Sequence, residues 1–206
     1  MSLQLTNDLQ AGVDEAGRGP LFGPVVAAAV VLPLTFPDDT YLQIKDSKKL
    51  SAKKREALTA YIERHSITFG VGTASAAEID EINILQATYR AMHRALDQAF
   101  SRKVFNNILV DGPNFKPYFN RNVEDGWIQH KCVVDADNTY MNVAAASILA
   151  KTYHDRMIDE MMAADPTLER YGLKTNKGYG TKKHMDALIL YGPSAHHRMS
   201  FAPCQK

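Results

Sequence analysis

Apolar residues fall in two closely spaced blocks near the start of the chain, separated by a glycine-rich polar segment. Ala11 to Glu15 reads as a buried strand that ends on two acids. Val25 to Leu32 is a Val/Ala/Leu run without a polar side chain, the pattern of a strand covered on both faces. Gly17, Gly19, Pro20, Gly23 and Pro24 form the connection between them. Ser66 to Thr73 alternates polar and apolar residues and predicts a third strand. Ile108 to Asp111 predicts a buried strand running into a Gly112-Pro113 turn, and Trp127 to Val134 a further strand.

Helical spacing fills the intervals. Ser51 is a suitable N-cap for a helix over Ala52 to Arg64, with Leu58, Tyr61 and Ile62 on one face. Ile84, Leu85, Thr88, Met92, Ala95, Leu96 and Ala99 make the stripe of a second helix over Asn83 to Phe100. A long helix follows over Tyr140 to Met162, in which Ala144, Ala145 and Ala146 permit close packing. Pro166, Gly172, Gly178 and Gly180 break the next stretch before a last helix over Lys182 to Tyr191. Strands first, then alternating helices and strands, predict an α/β sheet with helices on both faces.

The 206 residues suit one domain or one domain with a short appendage, long enough to bury a core without disulfides or structural metal. The two cysteines, Cys132 and Cys204, lie far apart in sequence, and the packing role this suggests fits a reducing cytoplasm. The N-terminus has no basic start followed by an apolar run, and Val25 to Leu32 is too short to cross a bilayer. A cytoplasmic, membrane-free protein is the expectation. No repeat or low-complexity linker interrupts the chain.

Charge divides the chain unevenly. Residues 166–206 hold seven Lys/Arg against Glu169 and Asp186, a net +5, so in a chain of +1 overall the rest stands at −4. A basic tail on an acidic body suits a polyanion held beside a carboxylate-rich centre. The acids Asp14, Glu15, Asp111 and Asp137 all fall at predicted strand ends or just beyond, where sites form in open α/β sheets. Carboxylate oxygens are the hard ligands that Mg²⁺ and Mn²⁺ prefer. Gly17 and Gly19 let a nucleic-acid backbone approach the main chain. Neighbouring strand residues point to opposite faces, so Asp14 and Glu15 can serve one ion only if the strand ends there, and the Ala16-Gly17 turn is expected to end it. Asp155, four residues after Lys151, has the spacing of a helix-surface pair. His184, His196 and His197 match no zinc pattern and are read as packing or phosphate-contact residues.

The string Asp14-Glu15-Ala16-Gly17-Arg18-Gly19-Pro20-Leu21-Phe22-Gly23-Pro24-Val25-Val26 resembles the opening motif of ribonuclease HII. Asp46-Ser47-Lys48-Lys49-Leu50, Asn83 to Thr88, Asp111-Gly112, Ala144 to Lys151 and Lys177-Gly178-Tyr179-Gly180-Thr181 resemble later motifs of that family in the same order. The resemblance implies a ribonuclease H-like mixed sheet with helices on both faces, a catalytic core over 1–165, and a basic C-terminal helical extension over 166–206 packed on it. It implies that Asp14, Glu15, Asp111 and Asp137 are the catalytic, metal-binding carboxylates, with Mn²⁺ or Mg²⁺ as cofactor. Asp137 is placed by counting back from the Ala-Ala-Ser-Ile run, its neighbour Asp135 being the alternative, and Ala136 stands where many relatives have glycine.

The resemblance further implies that Gly17, Arg18 and Gly19 grip the backbone around a ribonucleotide and that Tyr179 senses the 2′-hydroxyl where RNA passes into DNA. Lys48, Lys49, Lys177, Lys182, Lys183 and Arg198 are candidates for phosphate contact. The implied activity is cleavage of the RNA strand of RNA/DNA hybrids and of duplex DNA 5′ of single embedded ribonucleotides. Replication or repair partners are not legible. Ribonuclease HIII resembles the family but normally carries an extra N-terminal domain, for which a motif at residue 14 leaves no room. A metal-dependent DNA nuclease or recombinase and a non-catalytic nucleic-acid-binding module are the readings from other classes. The Tyr179 and Gly17 to Gly19 motifs argue against the first, and four acids that would repel phosphate argue against the second.

Overall fold

The computed structural model describes residues 9–123 and 125–205. Six strands, β1 (Gln10–Ala16), β2 (Val25–Val31), β3 (Thr68–Ala74), β4 (Asn107–Asp111), β5 (Tyr118–Phe119) and β6 (Trp127–Val133), form one sheet in the order β3-β2-β1-β4-β6-β5. β1, β2 and β3 pair antiparallel, whereas β4 lies parallel to both β1 and β6. The helices are α1 (Ala52–His65), α2 (Ala76–Phe100), α3 (Met141–Ala164), α4 (Leu173–Asn176) and α5 (Lys182–Tyr191). This is the mixed α/β architecture expected, with helices on both faces. No helix among the described residues is long and apolar enough to cross a membrane.

β2 is fully buried because α2 covers one face and α3 with α1 the other. Val25, Ala27, Ala29 and Val31 pack with Met92, Ala95, Leu96 and Ala99 of α2. Ala28 and Val30 pack with Ala144, Ala145, Ile148 and Leu149 of α3 and with Leu58 and Ile62 of α1. Gly72 lets α2 touch the sheet directly, since a Cβ there would stand 2.2 Å from the Ala91 carbonyl. Helix starts are set locally, Ser51 capping Lys54 N–H and Ser75 forming a reciprocal capping box with Glu78.

α2 begins seven residues before the expected Asn83. Asn83 has φ 67°, and its side-chain oxygen accepts from Leu85 and Gln86 N–H. It is thus a true local N-cap placed inside a longer helix, and the turn from Ala76 comes from the Ser75–Glu78 box. The two-residue β5 has no counterpart in the sequence pattern, being too short to show alternation. Cys132 and Cys204 are free thiols.

Residues 166–205 wrap against the end of α3. Leu168, Tyr171, Leu173, Ala187, Leu188 and Cys204 form a third apolar cluster with Leu21, Phe22 and Ile158. The connection between β1 and β2 is therefore clamped between the sheet and the C-terminal segment.

Candidate active site

Four acids gather at the end of the sheet where β1 and β4 finish. Val13 stands opposite Val110 in the parallel pair, so Asp14 and Asp111 are the next residues of adjacent strands. Asp14 lies on the face covered by α3, where Ser147 helps to offset the burial of its carboxyl. The Asp111 carboxylate accepts the Ala136 N–H at 2.7 Å, which ties β4 to the short turn Ala136–Asn138 that carries Asp137. Asp137 is buried with its carboxyl toward Asp46 and Asp111. Asp135 is exposed in a left-handed conformation (φ 56°) and stays outside the cluster. Ala136 has no positive φ, so its backbone conformation does not require glycine.

The strand does not end between Asp14 and Glu15, as the turn suggests. β1 continues to Ala16, paired with Val26, so Glu15 leaves on the opposite face and feels Asp111 through its charge. Arg18 donates to Glu15 Oε1 at 3.2 Å. Among the described residues no three Asp, Glu, His or Cys side chains have closed to the spacing that holds one ion.

The electrostatics show why such a cluster suits a cation. Burial, then the charges of Glu15 and Asp111, push the Asp14 carboxyl well above the usual carboxylate range. Burial raises Glu15 too, with Asp111 adding, against the opposing pull of Arg18. Asp137 is pushed up to about 6 by burial, by Asp46 and by Asp111. Burial works against charge on Lys48, yet Asp46, Asp137, Asp14 and Asp111 outweigh it and raise its ammonium. Negative charge thus exceeds the nearby positive charge in a water-poor setting, and hard oxygen donors are the set that Mg²⁺ or Mn²⁺ takes.

Sequence reasoning did not single out Asp46. Its side chain caps Lys48 N–H at 3.0 Å and is buried beside Asp137. Ser47 meets Ser147 at 3.0 Å between hydroxyl oxygens, so the Asp46 to Leu50 segment is pinned to α3 beneath Asp14. The motif itself was the available signal, since a short polar insert holding one acid between lysines has no packing reason to be buried.

Beside the carboxylates lies the Gly17 to Gly19 loop. Gly17 has φ 86°, and a Cβ on Gly19 would stand 3.4 Å from Tyr179 Cε1. The structure thus brings the loop and the exposed Tyr179 ring together, with Lys151 Nζ 6.0 Å from that ring. Behind them His184 and His197 are buried and share a 2.9 Å contact between Nε2 atoms, while His184 Nδ1 meets the Tyr179 carbonyl at 3.0 Å. They are packing residues that fix the Tyr179 turn.

The cationic candidates separate. Lys48 faces the acids, and Lys49 contacts Asn138 with Asp46 3.8 Å away. Lys177 pairs with Asp159, Lys182 with Asp186 at 2.7 Å, and Lys183 is exposed. Arg198 is fully buried and directs its guanidinium to main-chain carbonyls. The expectation that it meets phosphate is corrected by this burial. Asp155 binds Lys151 as the spacing suggests, and Arg55 and His154 besides.

The match to known proteins runs nearly end to end. The family model for Ribonuclease HII matches residues 11–204. The chain belongs to the ribonuclease HII family. The Ribonuclease HII of Trichormus variabilis is 47% identical over 198 residues, covering 96% of this chain and 83% of that one. Among solved structures, the ribonuclease H2 of Pyrococcus horikoshii superposes with a TM-score of 0.73 at 27% identity, covering 95% of each chain. Bst-RNase HIII in complex with Mn²⁺ shares the fold, with a TM-score of 0.75 at 20% identity over 98% of this chain and 70% of that one. Membership makes this protein a ribonuclease H hydrolase, a metal-dependent endonuclease acting on RNA/DNA hybrids.

Proposed function

We propose that the protein cuts the RNA strand of RNA/DNA hybrids and also cuts duplex DNA 5′ of a single embedded ribonucleotide, leaving 5′-phosphate and 3′-hydroxyl ends. The observation that carries this reading is the placement of the Tyr179 ring over Gly19, where a Cβ would stand 3.4 Å from Cε1, in the loop that follows Glu15. A 2′-hydroxyl is the one group that marks a ribose in a DNA strand. A tyrosine half exposed at that point offers a ring to stack and a hydroxyl to bond it.

In this reading Asp14, Glu15, Asp111 and Asp137 hold a pair of divalent cations, Mg²⁺ or Mn²⁺. Bound there, the cations supply Lewis-acid activation of the attacking water and neutralise charge on the leaving oxygen. The chain's own residues do the rest. Arg18 and Gly19 present main-chain N–H groups to the phosphodiester, Tyr179 reads the ribose, and Lys48 and Lys49 add positive charge beside the acids. Lys177, Lys182 and Lys183 contribute to holding the duplex by phosphate contact.

The test is cleavage of a DNA duplex with one ribonucleotide against an all-DNA control, with and without divalent metal. Metal-dependent cutting on the 5′ side of the ribonucleotide alone is expected. Equal cutting of the control, or none of the ribonucleotide duplex while an RNA/DNA hybrid is cleaved, would overturn the reading.

A further inference from the structure

Arg198 is among the largest fully buried side chains of the protein, and its whole guanidinium is committed to one loop. Nε donates to the Gly23 carbonyl at 3.0 Å, Nη1 to Arg18 at 3.0 Å, and Nη2 to Gly17 at 2.6 Å and Pro24 at 3.1 Å. No carboxylate forms an ion pair with it among the described residues. Burial lowers its pKa to about 10, so it is still charged at neutral pH. A buried cation with no direct ion-pair partner, its charge answered by carbonyl dipoles and at longer range by Asp80, is costly, and an apolar residue in its place would leave those four carbonyls without donors.

Peptide geometry shows what the arrangement achieves. No peptide bond is cis among the described residues, and across a trans peptide the C=O and the following N–H point in opposite directions. With the Gly17 and Arg18 carbonyls drawn inward to Arg198, the N–H groups of Arg18 and Gly19 face outward. Both residues are exposed, and neither N–H donates a hydrogen bond within the protein among the described residues. Two adjacent outward N–H groups over a buried positive charge form a concavity for an anion.

The guanidinium is itself held in place. Asp80 accepts from Met199 N–H and Ser200 N–H, both at 2.8 Å, and the Phe201 ring lies 5.3 Å from the Arg198 carbon. The Arg198 N–H bonds the Leu21 carbonyl at 2.9 Å. A side chain 180 residues further along the chain thereby sets the conformation of the loop.

We infer that Arg198 is a positioning residue for substrate binding: it orients the Arg18 and Gly19 N–H groups toward a bridging phosphate without touching the substrate. This rests on the reading of the Gly17 to Gly19 loop as the place where the nucleic-acid backbone binds. Arg198→Lys keeps the charge but loses the planar fork, and a lysine cannot span four carbonyls. With the ribonucleotide-containing duplex and saturating Mn²⁺, Arg198→Lys should raise KM about tenfold, the consequence of losing one or two well-oriented hydrogen bonds. The kcat should stay within about threefold, and the rise in melting temperature on adding Mn²⁺ should equal that of the wild type.

An unchanged KM in folded Arg198→Lys, or a fall in kcat with KM unchanged, overturns the inference. Should Arg198→Lys not fold, Asp80→Ala takes its place, because it frees the segment behind the guanidinium without removing it. That variant is expected to raise KM at constant kcat, and an unchanged KM counts against the inference equally. Gly19→Ala separates this failure from failure of the loop reading. If Gly19→Ala raises KM and the Arg198 variant does not, only the positioning role is wrong. If Gly19→Ala also binds normally, the loop is not the backbone site and both fall.

Discussion

Asp137→Asn should make the metal-free protein more stable while it removes catalysis. The Asp137 carboxyl sits at about 6 against an ordinary 3.8. At about 1.4 kcal/mol per tenfold change, its ionised form above pH 6 costs the folded state about 3 kcal/mol relative to the unfolded chain. Asparagine carries no such cost and keeps the volume. Its oxygen can still accept from Asn138, which now donates to Asp137 Oδ1 at 3.1 Å, and its amide can donate to Asp46. Allowing for imperfect geometry, the gain should be about 1–3 kcal/mol, or about 3–10 °C in melting temperature for a domain of this size.

The pH dependence supplies the control. Because the folded-state value is raised, the penalty is full above pH 6, shrinks as pH falls toward 4, and vanishes below the unfolded value. Thermal melts in EDTA should therefore separate the two proteins at pH 8 and nearly merge at pH 4. In Mn²⁺ the order should reverse, since binding to the folded wild type adds stability that grows with the logarithm of ion concentration over Kd. A variant no more stable than wild type at pH 8 in EDTA, or equally ahead at pH 4, would refute the cost of holding Asp137 ionised by burial and by the charges of Asp46 and Asp111.

Tyr179→Phe should lower cleavage at a single ribonucleotide about two- to tenfold, the value of one hydrogen bond, and Tyr179→Ala more, with affinity for all-DNA duplex little changed; equal cutting by all three proteins would make Tyr179 structural. Lys182→Gln/Lys183→Gln should reduce the slope of log affinity against log salt by about one for each phosphate no longer neutralised, and an unchanged slope would assign both to solvation of the α5 surface. His197 is held at about 4 by burial and by His184, so the unfolded chain takes up its proton first. Stability should fall by up to about 3 kcal/mol between pH 6.5 and 4 as pH drops. His197→Gln should flatten that slope, and an identical slope would refute it.

Periodicity and end signals located most of the scaffold because those signals are local. The helix over Lys182–Tyr191 has the predicted boundaries, and α1 and α3 end within two residues of expectation. Two errors arose where local signals overlap or are too short. Asn83 caps the second half of α2 while Ser75 caps the first, and β5 is a strand only by virtue of its pairing with β6. The positions of the acids at the end of the sheet were equally legible, since a carboxylate after a run of Val and Leu must lie where the strand emerges. What the pattern did not give was direction. β1 continues past Asp14 to Ala16, so Asp14 and Glu15 leave the strand on opposite faces.

The cations were harder, because formal charge says nothing of burial. Of the seven Lys/Arg in residues 166–206, Arg198 is inside and Lys177 is paired with Asp159 of α3, so the +5 of that segment, in which Asp186 is already set against Lys182, overstates the charge it offers a duplex. The same count hides an opposite effect. A guanidinium that never reaches solvent still projects its charge through the peptide dipoles it holds, with the Gly17 and Arg18 carbonyls turned inward and the Arg18 and Gly19 N–H groups turned out. On the function and the Arg198 role proposed above, the C-terminal segment would act on substrate along two routes: through exposed lysines that salt screens, and through one buried arginine that salt does not reach. A salt titration of KM distinguishes them, because the first route fades with ionic strength and the orientation set by Arg198 does not.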